Sequence, residues 1–208
     1  MNLDSYLSSN AVPRLHIGCG ANLLPGWLNS DFPARSPEVL ELDATATFPF
    51  QTGTFSYVFS EHMIEHVPYA GGAAMLKESH RVLKPGGKIR ISTPDLKFLM
   101  DLYLAGDRRT ALQNSYIKWA TDTFVRNAPG YDPVFVINNF VRDWGHLFIY
   151  DEKILRFSLE QAGFTHITRL ELNASPDEPL RNLEFEPRLP PGFLRLETMT
   201  LEAIKSPA

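Results

Sequence analysis

Apolar and polar positions along the chain fall into short runs of period two separated by stripes of helical spacing, the alternation of an α/β protein. After a short amphipathic stretch over residues 3–9, Pro13 opens a strand through Leu15 and Ile17 that ends at Gly18. Residues 27–31 predict a second strand and residues 39–43 a third. Residues 55–60, rich in aromatic and β-branched side chains, predict a fourth. Between Gly71 and Leu83, the apolar Met75, Leu76, Val82 and Leu83 keep the spacing of a helix laid on a sheet, and Pro85-Gly86-Gly87 is expected to stop it. Residues 88–93 alternate as a fifth strand. Pro94-Asp95 then opens a helix carrying Phe98, Leu99, Leu102 and Tyr103 on one face.

Residues 106–144 predict a helical insert. Leu112, Tyr116, Ile117, Ala120 and Phe124 mark one helix, and Val136, Ile137, Phe140, Val141 and Trp144 mark another beyond the Ala128-Pro129-Gly130 break. Such an insert either covers a pocket as a lid or only packs a small helical core. Asp151 is an N-cap for a helix with Ile154, Leu155, Leu159 and Ala162 on one face, closed by Gly163. Residues 165–172 form a strand, and the five prolines within residues 174–192 predict a long irregular loop. Residues 194–204 alternate as a last strand. The fold predicted is one α/β domain over residues 1–208: a doubly wound, mostly parallel seven-stranded sheet whose last strand is antiparallel, with a helical insert.

Composition narrows the function more than the fold. The 208 residues carry a net charge of −4 and no dense Lys/Arg run that would neutralise a line of phosphates, so nucleic acid is not the expected partner. No window approaches the roughly 20 apolar residues of a membrane span, and the first residues lack the basic and apolar regions of a secretory signal. The single cysteine, Cys19, excludes an internal disulfide framework and fits a reducing, cytoplasmic setting. Oligomeric state is not legible.

The chemistry-bearing residues cluster at the ends of the first four strands. The turn His16-Ile17-Gly18-Cys19-Gly20 lets backbone approach a ligand closely. In a dinucleotide-binding unit the acidic residue follows such a turn by about 20 positions, after a crossover helix. Here Asp31 arrives eleven positions after Gly20, so that helix is trimmed to a loop or a single turn. A second carboxylate, Asp43, closes the third strand. His62 and His66 follow the fourth strand, one helical turn apart and able to share a face, and His146 closes the insert. Histidine suits a general base near neutral pH. The His62/His66 spacing also permits a metal pair, but no third ligand is evident and no metal is expected.

Taken in order, the segments around Gly18, Asp31, Asp43-Ala44, Phe48-Pro49-Phe50, Phe55-Ser56-Tyr57-Val58, Glu65-His66-Val67, Arg81 to Gly87, and His146 through Phe164 resemble the class I S-adenosylmethionine-dependent methyltransferases, in the small stand-alone group called type 11. The early Asp31 is similar to a bacterial subgroup with a shortened first helix. The resemblance implies a Rossmann-like methyltransferase fold with S-adenosylmethionine as cofactor and S-adenosylhomocysteine as product. It also implies that Gly18, Cys19 and Gly20 lie against the aminoacyl part, Asp31 on the ribose hydroxyls, Asp43 and Ala44 at the adenine, and Ser60 and Glu61 on the side facing the acceptor. His16 stands where the family usually carries an acid, and Asn22 where it often carries a third glycine; His16 is counted among the cofactor-binding candidates. The expected reaction is in-line methyl transfer to oxygen, or to nitrogen, of a small molecule or sugar, with His62, His66 and His146 as candidate bases. Two readings compete: a non-catalytic cofactor-binding or partner-binding protein, and a nicotinamide-dependent oxidoreductase, which the early Asp31 and the Pro85-Gly86-Gly87 turn weaken.

Overall fold

Leu15, Ile17, Leu28, Val58, Ile89 and Ile91 are all essentially solvent-free, and they build the middle of a twisted sheet. A computed structural model describes residues 3–207. The strands are β1 (Arg14–Ile17), β2 (Leu28–Asp31), β3 (Leu40–Glu41), β4 (Phe55–Glu61), β5 (Leu83–Pro94), β6 (Phe164–Leu170) and β7 (Thr198–Lys205), in the spatial order β3-β2-β1-β4-β5-β7-β6. All pairs are parallel except those of β7, which runs antiparallel to both β5 and β6. This is the expected doubly wound sheet with an antiparallel C-terminal strand. Strand order reverses between β1 and β4, so the crevice at their carboxyl ends is the natural ligand position.

One face of the sheet is apolar and covered by α1 (Leu3–Ser9), α2 (Tyr69–Val82) and α6 (Glu152–Gln161). Between α2 and α6 come α3 (Leu96–Leu104), α4 (Ala111–Phe124) and α5 (Pro133–Arg142), which with α7 (Phe193–Glu197) pack a second core around Phe98, Leu102, Tyr116, Ala120, Val136, Phe140 and Phe193. Thr110 begins α4 with a capping box to Gln113, and the Asp132 carboxylate caps α5.

Among the described residues, no α-helix covers the opposite face near β1. Gly20 to Trp27 is too short for one, and the irregular segment 174–192 lies there instead, placing Leu180 and Leu183 against Trp27 and Phe59. Beneath the same segment the sheet is polar: Arg90 is fully buried, with Nε 2.6 Å from Glu184 Oε1 and Nη1 2.7 Å from Glu202 Oε1. Ser92 Oγ donates to Glu184 Oε1 at 2.6 Å, and Glu184 Oε2 accepts the Asn173 amide at 2.9 Å.

Several local expectations are corrected. Helix α2 ends at Val82, before Pro85-Gly86-Gly87, because Leu83 already pairs with Phe55; residues 84–87 are surplus length before Lys88 pairs with Tyr57. The last strand begins at Thr198, not Leu194. Gly192, at φ +84°, starts a helical turn that buries Phe193, Leu194 and Glu197, an i, i+1, i+4 set that outweighs the brief alternation of Leu194 and Leu196. The third strand shrinks to two residues at the sheet edge. Tyr103, Leu112, Phe124 and Val141 are on the exposed sides of their helices.

Arg90→Met should strand two buried carboxylates and destabilise the protein by about 3–5 kcal/mol. Urea unfolding at neutral pH measures this, and a loss below 1 kcal/mol, the range of exposed pairs, would show that the cluster is solvated.

Candidate active site

Two cavities meet at the carboxyl ends of β1 and β4. The larger, about 570 Å³, is lined by Ile17, Gly18, Gly20, Asp31, Asp43 and Ala44, among others, and closed at one end by His62, His66 and Trp144. Gly18 and Gly20 adopt φ +69° and +51°, and a Cβ on Gly18 would lie 2.2 Å from Met63 Cγ, so this turn takes no larger side chain without displacing Met63. Asp31 Oδ2 accepts the Gly20 amide at 3.2 Å and Oδ1 the Phe32 amide at 2.9 Å, which fixes the carboxylate at the rim. Asp43 accepts from the Thr45 amide and hydroxyl at 2.8 and 2.7 Å, and these bonds lower its pKa. Glycine backbone, a carboxylate positioned for paired hydroxyls and the apolar walls Leu42 and Val67 together fit a nucleoside bearing an aminoacyl tail.

The second cavity, about 250 Å³, lies between the sheet end and the insert. Tyr116, Trp119, Phe124, Phe140 and Trp144 form its aromatic walls, with His62, His66, His146, Arg188 and Glu197 as its polar groups. Only His62, His66 and Trp144 line both cavities. The insert therefore does both things expected of it as alternatives: it packs its own core and walls a pocket.

His62 is not on a helix. It sits at φ +46° ahead of a single 3-10 turn at Ile64–His66, its amide held by the Ser92 carbonyl at 2.8 Å. Its Nε2 lies 2.8 Å from Thr198 Oγ1 and its Nδ1 3.3 Å from Glu65 Oε1. His146 reaches the cluster because the Glu65 carbonyl accepts the Leu147 and Phe148 amides at 2.8 and 3.2 Å; its ring packs 5.0 Å from that of His66. Burial lowers the pKa of all three histidines, furthest for His62. Burial also raises Glu65 to about 8 and Glu197, hydrogen-bonded by Tyr116 Oη, to about 7.

Four sequence candidates have their side chains turned elsewhere. The His16 imidazole points into the core beneath segment 174–192, 3.2 Å from Asn29 Oδ1 and stacked 4.9 Å from Phe59. Cys19 is buried, its thiol pushed up to about 11 by burial and by Asp31, so only its backbone serves the turn. Ser60 is buried beside β1. Glu61 accepts the Phe185 amide, bonds Asn22 Nδ2 at 3.3 Å and pairs with Arg188 at 3.3 Å, tying the glycine turn to segment 174–192. Conversely, Phe32, Met63 and Trp144 line the cleft without having been singled out for it. Phe32, exposed beside a strand-end carboxylate, left a readable signal; Met63 left none.

The methyltransferase-domain family model matches residues 28–91. Over those residues the chain is similar to methyltransferase domains, and its sheet has the Rossmann-like methyltransferase fold. The methyltransferase fold recurs in a methyltransferase from Archaeoglobus fulgidus at 16% identity, covering 98% of this chain and 91% of that one with a TM-score of 0.51. It recurs in one from Thermotoga maritima, described as a possible histamine N-methyltransferase, at 17% identity, 97% and 88% coverage and a TM-score of 0.51. The CurJ carbon methyltransferase matches at 12% identity and a TM-score of 0.50; the match covers 95% of this chain but only 49% of that one. Among curated proteins, none matches this sequence. Among the described residues, no helix is long and apolar enough to cross a membrane.

His16, at the position where the family this chain resembles usually carries an acid, is a buried neutral histidine. Burial lowers the His16 pKa from 6.5 to about 4. Its contribution to stability is therefore full above pH 6.5 and declines as pH falls towards 4, at about 1.4 kcal/mol per pH unit, since the unfolded chain binds the proton first. His16→Gln should remove that slope, so the stability gap between wild type and variant narrows over this interval. A gap independent of pH, measured by urea unfolding, would mean that His16 takes up its proton in the fold as readily as in the unfolded chain.

Proposed function

We propose that this domain transfers a methyl group from S-adenosylmethionine to a hydroxyl oxygen of a small molecule or sugar seated in the aromatic pocket. The observation that carries the reading is the junction of the two cavities at His62, His66 and Trp144. When bound, the cofactor supplies an electrophilic sulfonium methyl; the C–O bond forms as the C–S bond breaks and sulfur keeps the electron pair. Gly18 and Gly20 give the aminoacyl end a close backbone surface, and Asp31 accepts from the ribose hydroxyls. Asp43 and Ala44 border the base. Tyr116, Trp119 and Phe140 stack on a flat or ring-shaped acceptor, exclude water and hold its oxygen on the line towards the cleft. His62, held through Nε2 by Thr198 and lining the pocket, takes the proton of that oxygen.

Oxygen is favoured over nitrogen because imidazoles gather where a hydroxyl must lose a proton. A non-catalytic binding role would leave this shared junction without a purpose.

Calorimetry should show S-adenosylhomocysteine binding and no comparable NAD binding; NAD binding in its place would overturn the reading. Asp31→Ala should weaken S-adenosylhomocysteine by about 10–100-fold, the worth of hydrogen bonds to a charged group. Incubated with labelled cofactor and small-molecule extracts, the protein should transfer label to an acceptor. His62→Ala should lower that turnover at least about tenfold with cofactor affinity unchanged; equal turnover would remove His62 from the reaction.

A further inference from the structure

At the cavity junction, Glu65, His66 and His146 each offer one ligand atom, and all three atoms lie within 4.8 Å of one another. Sequence spacing conceals this set, since His146 is brought in from the end of the insert by the two amide bonds to the Glu65 carbonyl. We propose that these three residues bind a divalent transition-metal ion, with Zn2+ the best match, leaving an open coordination position towards the acceptor pocket.

Three features of the surroundings support a metal over simple packing. Glu65 is wholly buried, yet its Oε1 makes no hydrogen bond; His62 Nδ1 stands 3.3 Å away without hydrogen-bond alignment. A buried carboxylate oxygen left without a partner is costly, and a cation satisfies it. Its other oxygen, Oε2, accepts from Thr93 Oγ1 at 3.0 Å, which orients the group. His146 has Nδ1 2.6 Å from the Phe140 carbonyl, so Nδ1 carries the proton and Nε2 presents a lone pair. Ligating histidines and carboxylates are characteristically anchored in this way by outer hydrogen bonds.

Two imidazoles and one carboxylate form a donor set for zinc and neighbouring first-row ions, whereas Mg2+ and Ca2+ prefer all-oxygen sites. Bonds of about 2.0–2.2 Å place tetrahedral ligand atoms about 3–3.5 Å apart. Ligand atoms now within 4.8 Å of one another must draw together to that spacing on binding, and His66 is the exposed member of the set. His66 lines both cavities and His146 the aromatic one, so the fourth position points where an acceptor hydroxyl would stand. A metal there would lower the pKa of a bound hydroxyl. That role rests on the methyl-transfer reading above, but metal binding itself does not.

The test uses the full, untagged chain stripped with chelator. Titration with Zn2+ should show one equivalent bound at about micromolar Kd or tighter, and Co2+ should give visible d–d bands that Zn2+ abolishes. Glu65→Gln and His146→Ala should each weaken Zn2+ more than tenfold, and Thr93→Val about tenfold through the lost outer hydrogen bond. Absence of Co2+ bands in wild type, or Zn2+ affinity unchanged in a folded Glu65→Gln/His146→Ala double variant, would overturn the proposal. If the variants fail to fold, the wild-type Co2+ spectrum decides alone. S-adenosylhomocysteine binding, measured in parallel, separates the readings: cofactor binding without metal binding sinks only the metal site, and metal binding without cofactor binding sinks only the transferase reading.

Discussion

The architecture turns on one buried ionic cluster, the Arg90 guanidinium held between Glu184 and Glu202. Three charges are withdrawn from water there, and such a cluster is tolerated only when every hydrogen bond is satisfied. Arg90 also donates to the Ala174 carbonyl, Glu184 takes the Ser92 hydroxyl and the Asn173 amide, and Asn173 Oδ1 takes the Glu184 amide. The cluster thereby pins the start and the middle of an otherwise irregular, proline-rich segment to the sheet. Its satisfied geometry gives that segment a single position.

That position has two consequences for the site. On the sheet face left bare by the missing first crossover helix, Leu180 and Leu183 replace the helix and seal His16 beneath them. Further along, the same segment carries Arg188 and Leu189 into the aromatic pocket, while Glu61 and Asn22 bind it to the glycine turn. The glycine turn and one wall of the aromatic pocket thus share a support. The departures from the family pattern at His16 and Asn22 are explained together: both residues serve the replacement cover.

The insert plays the complementary part on the other side. Its internal core orients α4 and α5, and the left-handed Trp144 and Gly145 then turn the chain back so that His146 meets His66. A stripe of aromatics at helical spacing could have been packing or pocket wall, and here single rings serve both, Tyr116 and Phe140 among them.

The chain by itself determined the strand–helix alternation, the antiparallel end of the sheet, the trimmed first crossover and the carboxylates at the ends of β2 and β3. These follow from local periodicity and from chain lengths that leave no alternative, such as the eleven positions between Gly20 and Asp31. What it left undetermined are relations between distant segments. The alternation of residues 88–93 reads as a strand, yet Arg90 and Ser92 are buried because Glu184, 94 and 92 positions away, covers them. Nor does spacing bring Glu65 and His66 to His146, or turn His16 and Glu61 from ligand positions into structural ones. Periodicity reports which face of an element is apolar; only the folded chain decides what covers the polar face, and in this protein that cover shapes the site.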